Sequence, residues 1–240
     1  LLRKHAKIEP QRWYYHCDKL GLIVWQDMVN GGGPYKLWFV TCLTNVFQPL
    51  LRRLPDARPL WGLLGRETEA GREEYARELE ATVKALQCHP CVGCWVPFNE
   101  GWGQFDAAQA VETLRTLDPD RLVDEASGWY DQGGGDVKSV HNYFRPLRVR
   151  TEQRPFILSE YGGYSCPVGG HLYSTKSFGY HTYKDTAEFT AAWQALQKKI
   201  QELQDKGLAG AVYTQLSDVE EETNGLYTYD RKVCKVERKL

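Results

Sequence analysis

Two glutamates directly follow short apolar runs of the sequence and are flanked by glycine and aromatic residues. Glu100 lies within residues 98–102 (FNEGW) and Glu160 within residues 159–162 (SEYG). Two carboxyl groups that face each other can cleave a glycosidic bond, because one protonates the leaving oxygen while the other attacks the anomeric carbon, at a separation of about 5–5.5 Å in retaining enzymes. Taken singly, a glutamate at a strand end is more often part of an ion-pair network.

These glutamates lie in a sequence that alternates short apolar runs with amphipathic stretches. Strands are predicted at residues 22–27, 92–98, 121–125, 137–141, 155–159 and 209–214, and helices at about 10–20, 70–87 and 186–206. Asp185 is the predicted N-cap of the last helix, with Glu188 as its capping-box partner and Gly207 as its stop. Continuous apolar strands that alternate with helices indicate parallel pairing and an α/β fold.

Polar residues recur where the predicted strands end, at positions 25–27, 99–102, 124–125, 141–143 and 160–162. Parallel strands present their carboxyl ends on the same side, so we expect these side chains to converge on one mouth. The length of 240 residues is close to the roughly 250 of a single (β/α)8 barrel. The pattern therefore predicts a barrel with its site at that mouth.

The composition narrows the range of partners. Thirty basic residues balance thirty-one acidic ones, which gives no electrostatic reason to expect nucleic acid or an anionic membrane as a partner. No apolar run approaches the roughly 18–20 residues of a membrane span. Eight Trp and fourteen Tyr suit a site that stacks on sugar rings, although many must be core. The odd count of seven Cys indicates reduced, buried thiols and slightly favours a cytoplasmic location.

On these residues the chain resembles glycoside hydrolase family 2, the family of β-galactosidases and β-glucuronidases. Residues 3–5 (RKH), 8–10 (IEP) and 17–27 are similar to its second and third strand units. Residues 95–103 (WVPFNEGWG) resemble its acid/base motif, and residues 156–163 (FILSEYGG) its nucleophile motif. Residues 212–215 and 224–231 are similar to its eighth strand and tail.

The resemblance implies a retaining glycosidase that cleaves a terminal β-linked sugar without metal or organic cofactor. Glu160 would be the nucleophile and Glu100 the acid/base. Asn99 would bind the sugar 2-hydroxyl, and Arg3 would hydrogen-bond to Glu160. His141 and Tyr143 would contact the sugar and the nucleophile. The full set of predicted substrate-binding residues is Arg3, His5, Asp27, Asn99, Trp102, His141 and Tyr143.

Aligned in this way, the chain begins at the end of the second barrel strand. We therefore expect residues 1–240 to be a single catalytic barrel domain of a longer multidomain enzyme, with the first strand and most of the second missing. An incomplete barrel exposes unpaired strand edges. This keeps open a second hypothesis, a non-catalytic carbohydrate-binding barrel or an inactive truncated one. Neither the sugar nor the oligomeric state can be predicted from the sequence.

Other motifs allow two interpretations. Cys88, Cys91 and Cys94 form C-x2-C-x2-C, which could bind a metal, but Cys91 and Cys94 lie in or beside a predicted strand and buried thiols are favoured. The acidic residues 218–222 (DVEEE) could bind Ca²⁺ or Mg²⁺, but a solvated loop is favoured. Asp27 and residues 124–125 could contact sugar hydroxyls or be structural, and the sequence favours neither.

A few residues suit weaker alternatives. A barrel lyase or metal hydrolase would need a Lys at a strand end or several His at the mouth, for which Lys138 and His141 are the candidates. Trp129, like Trp102, could stack on a sugar or close the rim. His171 and His181 lie in a loop rich in Gly and Tyr and are interpreted as surface residues.

Overall fold

The computed structural model describes residues 1–36, 38–43, 54–149 and 153–237, with the side chains of residues 41–43 left out. Contacts between Cα atoms divide the chain into two compact units. The first comprises Leu1–Val140 and Gln153–Pro155, and the second comprises His141–Glu152 and Phe156–Leu240. Glu100 belongs to the first unit and Glu160 to the second.

Parallel strands form the centre of the first unit. Strands β1 (Leu2–Lys4), β2 (Val24–Asp27), β3 (Val92–Val96) and β5 (Leu122–Val123) form one sheet in the order β1-β2-β3-β5. The short strands β4 (Phe98–Asn99) and β6 (Ala126–Ser127) form a second parallel pair. All these pairings are parallel, so the strands that end at Asp27, Asn99 and Ser127 point the same way within their sheets.

The described part of the first unit contains five helical segments, three of which pack on its sheet. They are α1 (Gln11–Leu20), a short π-helix (Trp38–Leu43), α2 (Arg58–Trp61), α3 (Glu69–Leu86) and α4 (Ala107–Leu117). Thr68 caps α3 by accepting a hydrogen bond from the Gly71 N–H at 3.3 Å. The apolar faces of α1, α3 and α4 share one core with the central strands, and the fully buried Trp95 lies in it and donates its indole N–H to Asp118 at 3.0 Å.

The second unit contains a parallel pair and one long helix. Strand β7 (Lys138–Asn142) begins in the first unit and ends in the second, where β8 (Phe156–Gly162) pairs in parallel with β11 (Leu208–Thr214). The sheet has the order β11-β8-β7. Strands β9 (Tyr164–Ser165) and β10 (His181–Thr182) form a separate parallel pair, and α5 spans Thr186–Gln204. Asp185 accepts the Glu188 N–H at 2.9 Å, which confirms the predicted N-cap of α5.

The predicted α/β character with parallel strands is confirmed. The helices α1, α3 and α5 lie within about two residues of their expected bounds, whereas α2, α4 and the π-helix were not predicted, and β1 was expected only from the family resemblance. Between Asp124 and Val137, all of it described, the chain forms no helix, in line with its glycine content. None of the helices in the described ranges combines the length and the apolar character needed to span a bilayer.

Cysteine burial departs from the expectation at two positions. Cys17, Cys91, Cys94 and Cys166 are buried free thiols, but Cys88 and Cys234 are exposed free thiols. Cys88 follows the end of α3 and Cys234 lies in the tail after β11, outside both sheets. The prediction of buried thiols was therefore wrong for these two, and the side chain of Cys42 lies outside the described residues.

The interpretation of residues 218–222 as a solvated acidic loop was wrong for its first residue. Asp218 is buried and forms an ion pair with the equally buried Lys235, with Oδ1 2.7 Å from Nζ. The Gly225 N–H also donates to Oδ1 at 2.8 Å, and Lys235 donates to the Thr223 carbonyl at 2.9 Å. This ion pair connects the tail to the loop after β11. Each charge depends on the other, because either one alone would be buried without compensation.

Candidate active site

In the first unit, a buried ion pair joins the ends of the first two strands. Arg3 on β1 donates through Nε to Oδ1 of Asp27 at 2.9 Å and through Nη2 to Oδ2 at 2.8 Å. Only 2% of the Arg3 side chain and 1% of the Asp27 side chain are exposed. Arg3 Nη2 also donates to Oδ1 of Asn99 at 2.7 Å, so one guanidinium orients both the carboxylate and the amide.

Asp27 interacts with a histidine as well. Nδ1 of His5 lies 3.1 Å from Oδ2 of Asp27, while the rest of the His5 side chain is about half exposed. Burial by itself raises the pKa of Asp27, but the charge of Arg3 and the contact with His5 outweigh it, and the net pKa lies below the ordinary value. Asp27 is therefore held ionised. Its contacts favour the structural interpretation that the sequence left open.

Glu100 lies in a tight left-handed turn immediately after β4. Its φ is +52°, and the next residue, Gly101, has φ +72°. The backbone N–H of Glu100 donates to the Ser127 carbonyl at 2.8 Å, which fixes the residue to the end of β6. Gly101 has no room for a side chain, because a Cβ there would lie 2.2 Å from the Tyr130 ring. The Glu100 side chain is partly buried.

Trp102 belongs to the same turn. Its backbone N–H donates to the Asn99 carbonyl at 2.9 Å. Its ring stacks on Tyr35, with the ring centroids 5.6 Å apart and the planes inclined by 16°. Both rings are partly buried. The sequence offered no signal for Tyr35, which lies in a Gly/Pro-rich segment far from Trp102 in the chain.

Glu125, one of the carboxylates that the sequence placed at the mouth, is bound by the chain itself. Its Oε2 accepts the N–H groups of Gln132 and Gly133, at 2.8 and 2.9 Å, and its Oε1 accepts that of Gly134 at 3.1 Å. Burial, followed by the charge of Asp131, raises the pKa of Glu125 to about 7. Because three backbone N–H groups donate to it, the Glu125 carboxylate stabilises the conformation of the glycine-rich loop at residues 132–134. Asp124 is equally buried.

In the second unit, Glu160 lies near the end of β8 with two polar neighbours. The phenol of Tyr143 donates to Oε2 of Glu160, and Nδ1 of His141 lies 3.5 Å from the same oxygen. His141 is fully buried, whereas 14% of the Glu160 side chain is exposed. The carboxylate is thus oriented from its own unit by a phenol and an imidazole, both on or just after β7.

Tyr143 is held in place by residues that the sequence did not reveal. Its hydroxyl lies 3.2 Å from Oγ1 of Thr214, the last residue of β11, and its ring stacks on Tyr180 with centroids 4.0 Å apart. The position of Thr214 at the end of a predicted strand was a signal that could have identified it. Tyr180 lies in a loop, and the sequence gives no comparable signal for it. The surface interpretation of His181 agrees with its exposure, while His171 is partly buried and pairs with Asp230 at 2.8 Å.

The other predicted residues fall into structural roles. Trp129 is buried and packs in a cluster with Phe39, Leu64 and Tyr130, so it belongs to the core of the first unit. Lys138 is buried and pairs with Asp131 at 2.5 Å. Seven of the predicted site residues form two clusters: side-chain contacts link Arg3, His5, Asp27 and Asn99 in the first unit, and His141, Tyr143 and Glu160 in the second.

Known proteins resemble this chain over different spans. A family model described as glycosyl hydrolases family 2, TIM barrel domain, matches residues 8–237. β-Mannosidase B from Thermothelomyces thermophilus is 30% identical over 94 residues, which are 39% of this chain and 8% of that protein.

Solved structures bear on the fold. A β-D-glucuronidase from Dictyoglomus thermophilum has a TM-score of 0.62 at 15% identity and is matched over 95% of this chain and 41% of its own. A β-galacturonidase from Eisenbergiella tayi has a TM-score of 0.60 at 13% identity, over 97% of this chain and 43% of its own. This chain thus spans less than half of each of these relatives.

The family match and the structure agree. The matched span covers nearly the whole chain, and the parallel strands and intervening helices of both units are those of an α/β barrel. The chain therefore belongs to glycosyl hydrolase family 2 and has the fold of its TIM barrel domain.

Proposed function

We propose that this chain supplies the single catalytic barrel domain of a retaining glycoside hydrolase that removes a terminal β-linked sugar. Glu160 is the nucleophile and Glu100 the general acid and base. The observation that carries the proposal is the setting of Glu160, which lies near the end of the buried parallel strand β8 and accepts a hydrogen bond from Tyr143 beside His141. Family membership supports the same assignment.

The proposed reaction has two displacements. In the first, the Glu160 carboxylate attacks the anomeric carbon while Glu100 protonates the departing oxygen, and a covalent glycosyl-enzyme forms. In the second, Glu100 takes a proton from water, which attacks the anomeric carbon and releases Glu160. The Tyr143 hydroxyl would stabilise the charge on Glu160 before attack and after release, since a phenol donates to the ionised form.

Arg3 and Asn99 have a binding role in this proposal. Because Arg3 donates to Oδ1 of Asn99, the amide is oriented with its NH2 group as the part that can donate to a sugar hydroxyl. Asp27 holds Arg3 in turn through two hydrogen bonds. The exposed His5 and the partly buried Trp102 complete the proposed contacts to substrate.

The experiment starts by identifying the sugar. The names of the relatives given above mention a mannosidase, a glucuronidase and a galacturonidase, so a panel of nitrophenyl β-glycosides of these and related sugars is tested on the full-length protein. Glu160→Gln is expected to abolish turnover of the substrate so found. Glu100→Ala is expected to slow substrates with poor leaving groups most, by about 10²–10⁴-fold.

The control is Glu80→Gln, which removes an exposed carboxylate that pairs only with Lys84 on the same helix among the described residues. It should leave turnover unchanged. Near-wild-type rates in Glu160→Gln would refute the assignment. Saturable binding of sugars by a wild-type protein that hydrolyses none of them would establish the alternative, a non-catalytic carbohydrate-binding barrel.

A further inference from the structure

A buried guanidinium lies beneath the turn that carries Glu100. Arg66 follows the short helix α2, and only 2% of it is exposed. Among the described residues, no carboxylate forms an ion pair with it. Burial lowers its pKa, which is the expected consequence of a cation removed from water. A buried charge of this kind costs free energy unless its surroundings compensate for it.

Backbone carbonyls from three separate segments supply that compensation. Nε of Arg66 donates to Gly103, at the end of the Glu100 turn, at 2.7 Å. Nη1 donates to Gly71 in the first turn of α3 at 3.3 Å, and Nη2 donates to Asn30, three residues after Asp27. One planar fork therefore links the chain after β2, the start of α3 and the chain after β4.

Aromatic rings cover the guanidinium and extend the contact to the strand side of the turn. Its central carbon lies 4.7 Å from the centroid of Tyr75 and 5.5 Å from that of Phe105. The Tyr75 hydroxyl donates to the Pro97 carbonyl at 2.5 Å, and its ring stacks on Phe98 with centroids 5.2 Å apart. The chain is thus held on both sides of Glu100, at Pro97 and Phe98 before it and at Gly103 after it.

The backbone conformation of the 100–103 turn is itself restricted. Glu100, Gly101 and Gly103 all have positive φ, at +52°, +72° and +69°. A Cβ at Gly103 would lie 3.0 Å from Nε and from Nη2 of Arg66, so the backbone lies directly against the guanidinium. The Gly103 N–H donates to Leu64, two residues before Arg66, at 2.8 Å.

We infer that Arg66 is a positioning residue for Glu100: its guanidinium holds the 100–103 turn so that the Glu100 carboxyl meets the leaving-group oxygen. The inference rests on the proposed function, because it presupposes that Glu100 is the general acid. Lys in place of Arg66 keeps a charge but cannot form the planar fork. A displacement of about 1 Å of a catalytic group costs about 10²-fold in rate.

The test compares two glycosides of the sugar identified by the panel, one with a dinitrophenyl and one with a phenyl leaving group. The first departs without protonation, whereas the second needs the acid. We expect Arg66→Lys in the full-length protein to lower kcat/KM for the phenyl glycoside about 10-fold more than for the dinitrophenyl one. A purely structural role would lower both equally, and that result, or no loss at all, would overturn the inference.

The matched control is Arg72→Lys. The Arg72 side chain also donates to carbonyls, those of Arg66 and Glu67, and lies 4.5 Å from the Trp61 ring, but within the described part of the chain it forms no hydrogen bond with the 100–103 turn. Its ratio of the two kcat/KM values should equal that of the wild type. Glu100→Ala in the same assay separates the two claims. If it shows no dependence on the leaving group, the proposed function fails; if it does and Arg66→Lys does not, only the positioning role fails.

A second variant decides the question if Arg66→Lys does not fold. Gly103→Ala presses a Cβ against the guanidinium and should change the same ratio in the same direction. Gly21→Ala is its control, because Gly21 has a similar φ of +64° but nothing within 4 Å of an added Cβ. A change of the ratio in Gly103→Ala alone supports the inference, and an equal effect of the two substitutions contradicts it.

Discussion

Arg3 and Asp27 form a two-pronged ion pair inside the first unit. Nε–Oδ1 and Nη2–Oδ2 are 2.9 and 2.8 Å, and at most 2% of either side chain is exposed. The same guanidinium reaches Asn99, so the pair joins the ends of β1 and β2 to the residue before Glu100. Two charges in such a setting depend on each other, because neither is compensated by water.

Asp27→Asn should therefore destabilise the protein at neutral pH. We expect a loss of about 3–5 kcal/mol in the free energy of unfolding, since the variant removes the buried negative charge that accepts two hydrogen bonds from Arg3. The pKa of Asp27 is lowered in the folded state, so its contribution is present above the ordinary pKa and is lost as the pH falls through the folded value. Urea unfolding at pH 7 and below about 4 should show the gap between wild type and variant shrinking with acid.

An exposed pair provides the comparison for Asp27→Asn. Glu80 and Lys84 lie 2.6 Å apart with about half of each side chain exposed, and Glu80→Gln should change the free energy of unfolding by less than about 0.5 kcal/mol. A loss of similar size in both variants would mean that burial of the Arg3–Asp27 pair has no energetic consequence.

Tyr143→Phe removes the phenol that donates to Glu160 and leaves the ring that stacks on Tyr180. A hydrogen bond to a charged group contributes about 1.5–3 kcal/mol. Steady-state kinetics should accordingly show kcat lowered by about 10–100-fold. Tyr173→Phe, at an exposed ring that packs on Tyr229, should leave kcat as it is. Equal rates in the two variants would remove Tyr143 from the proposed mechanism.

Asp218 and Lys235 can be tested as a double-mutant cycle. Asp218→Asn and Lys235→Met should each cost about 3–5 kcal/mol in the free energy of unfolding, because each leaves one charge buried without its partner. The double variant has no such charge, so its loss should be smaller than the two single losses together by more than about 1 kcal/mol. Additive losses would indicate that the two side chains act separately.

Glu125 should make stability fall as the pH rises. Its pKa is raised to about 7 by burial and then by Asp131, so between about 4.5 and 7 the folded protein binds more protons than the unfolded chain. Burial raises the pKa of Asp131, but Arg154 and Lys138 lower it to about 2, so Asp131 titrates below this window. We expect Glu125 to account for a decrease of up to about 3 kcal/mol between pH 5 and 8.

Chemical unfolding at those two pH values measures the effect of Glu125. In Glu125→Gln the side chain cannot titrate, so the decrease should be absent. The exposed Glu112 offers a matched substitution, Glu112→Gln, which should retain the wild-type decrease. The same pH dependence in wild type and Glu125→Gln would assign the effect to another group.

Local patterns predicted the helices α1, α3 and α5, and a remote contact explains why α4 was missed. The bounds of α1, α3 and α5 followed from apolar spacing and from caps such as Asp185. Helix α4 has no local cap: the preceding Asp106 is in a left-handed conformation and makes no side-chain cap, and the Ala107 N–H donates instead to Asp56 at 2.8 Å. A start signal 51 residues away in the chain cannot be read from a sequence window.

The difference between local sequence patterns and remote contacts applies to the candidate site as well. Glu100 and Glu160 could be proposed from the sequence because the residues that flank each of them are adjacent to it in the chain. Thr214, which contacts Tyr143, and Arg66, which we propose to position Glu100, come from other elements, and neither lies beside a glutamate motif in the sequence. Asp218 was misjudged for a related reason, because the charge that compensates it lies 17 residues further along the chain.

Because the described thiols differ in exposure, their reaction with alkylating reagents can be used to follow unfolding of the protein. Burial raises the pKa of Cys17, of Cys91 to about 12, and of Cys94 and Cys166, so these four buried thiols supply less of the thiolate that reacts with alkylating reagents. Cys88 and Cys234 are exposed, one in each unit. Among the cysteines whose side chains are described, a fluorescent maleimide should therefore label one in each unit while the protein is folded, and labelling of the buried four would report that the interior has opened.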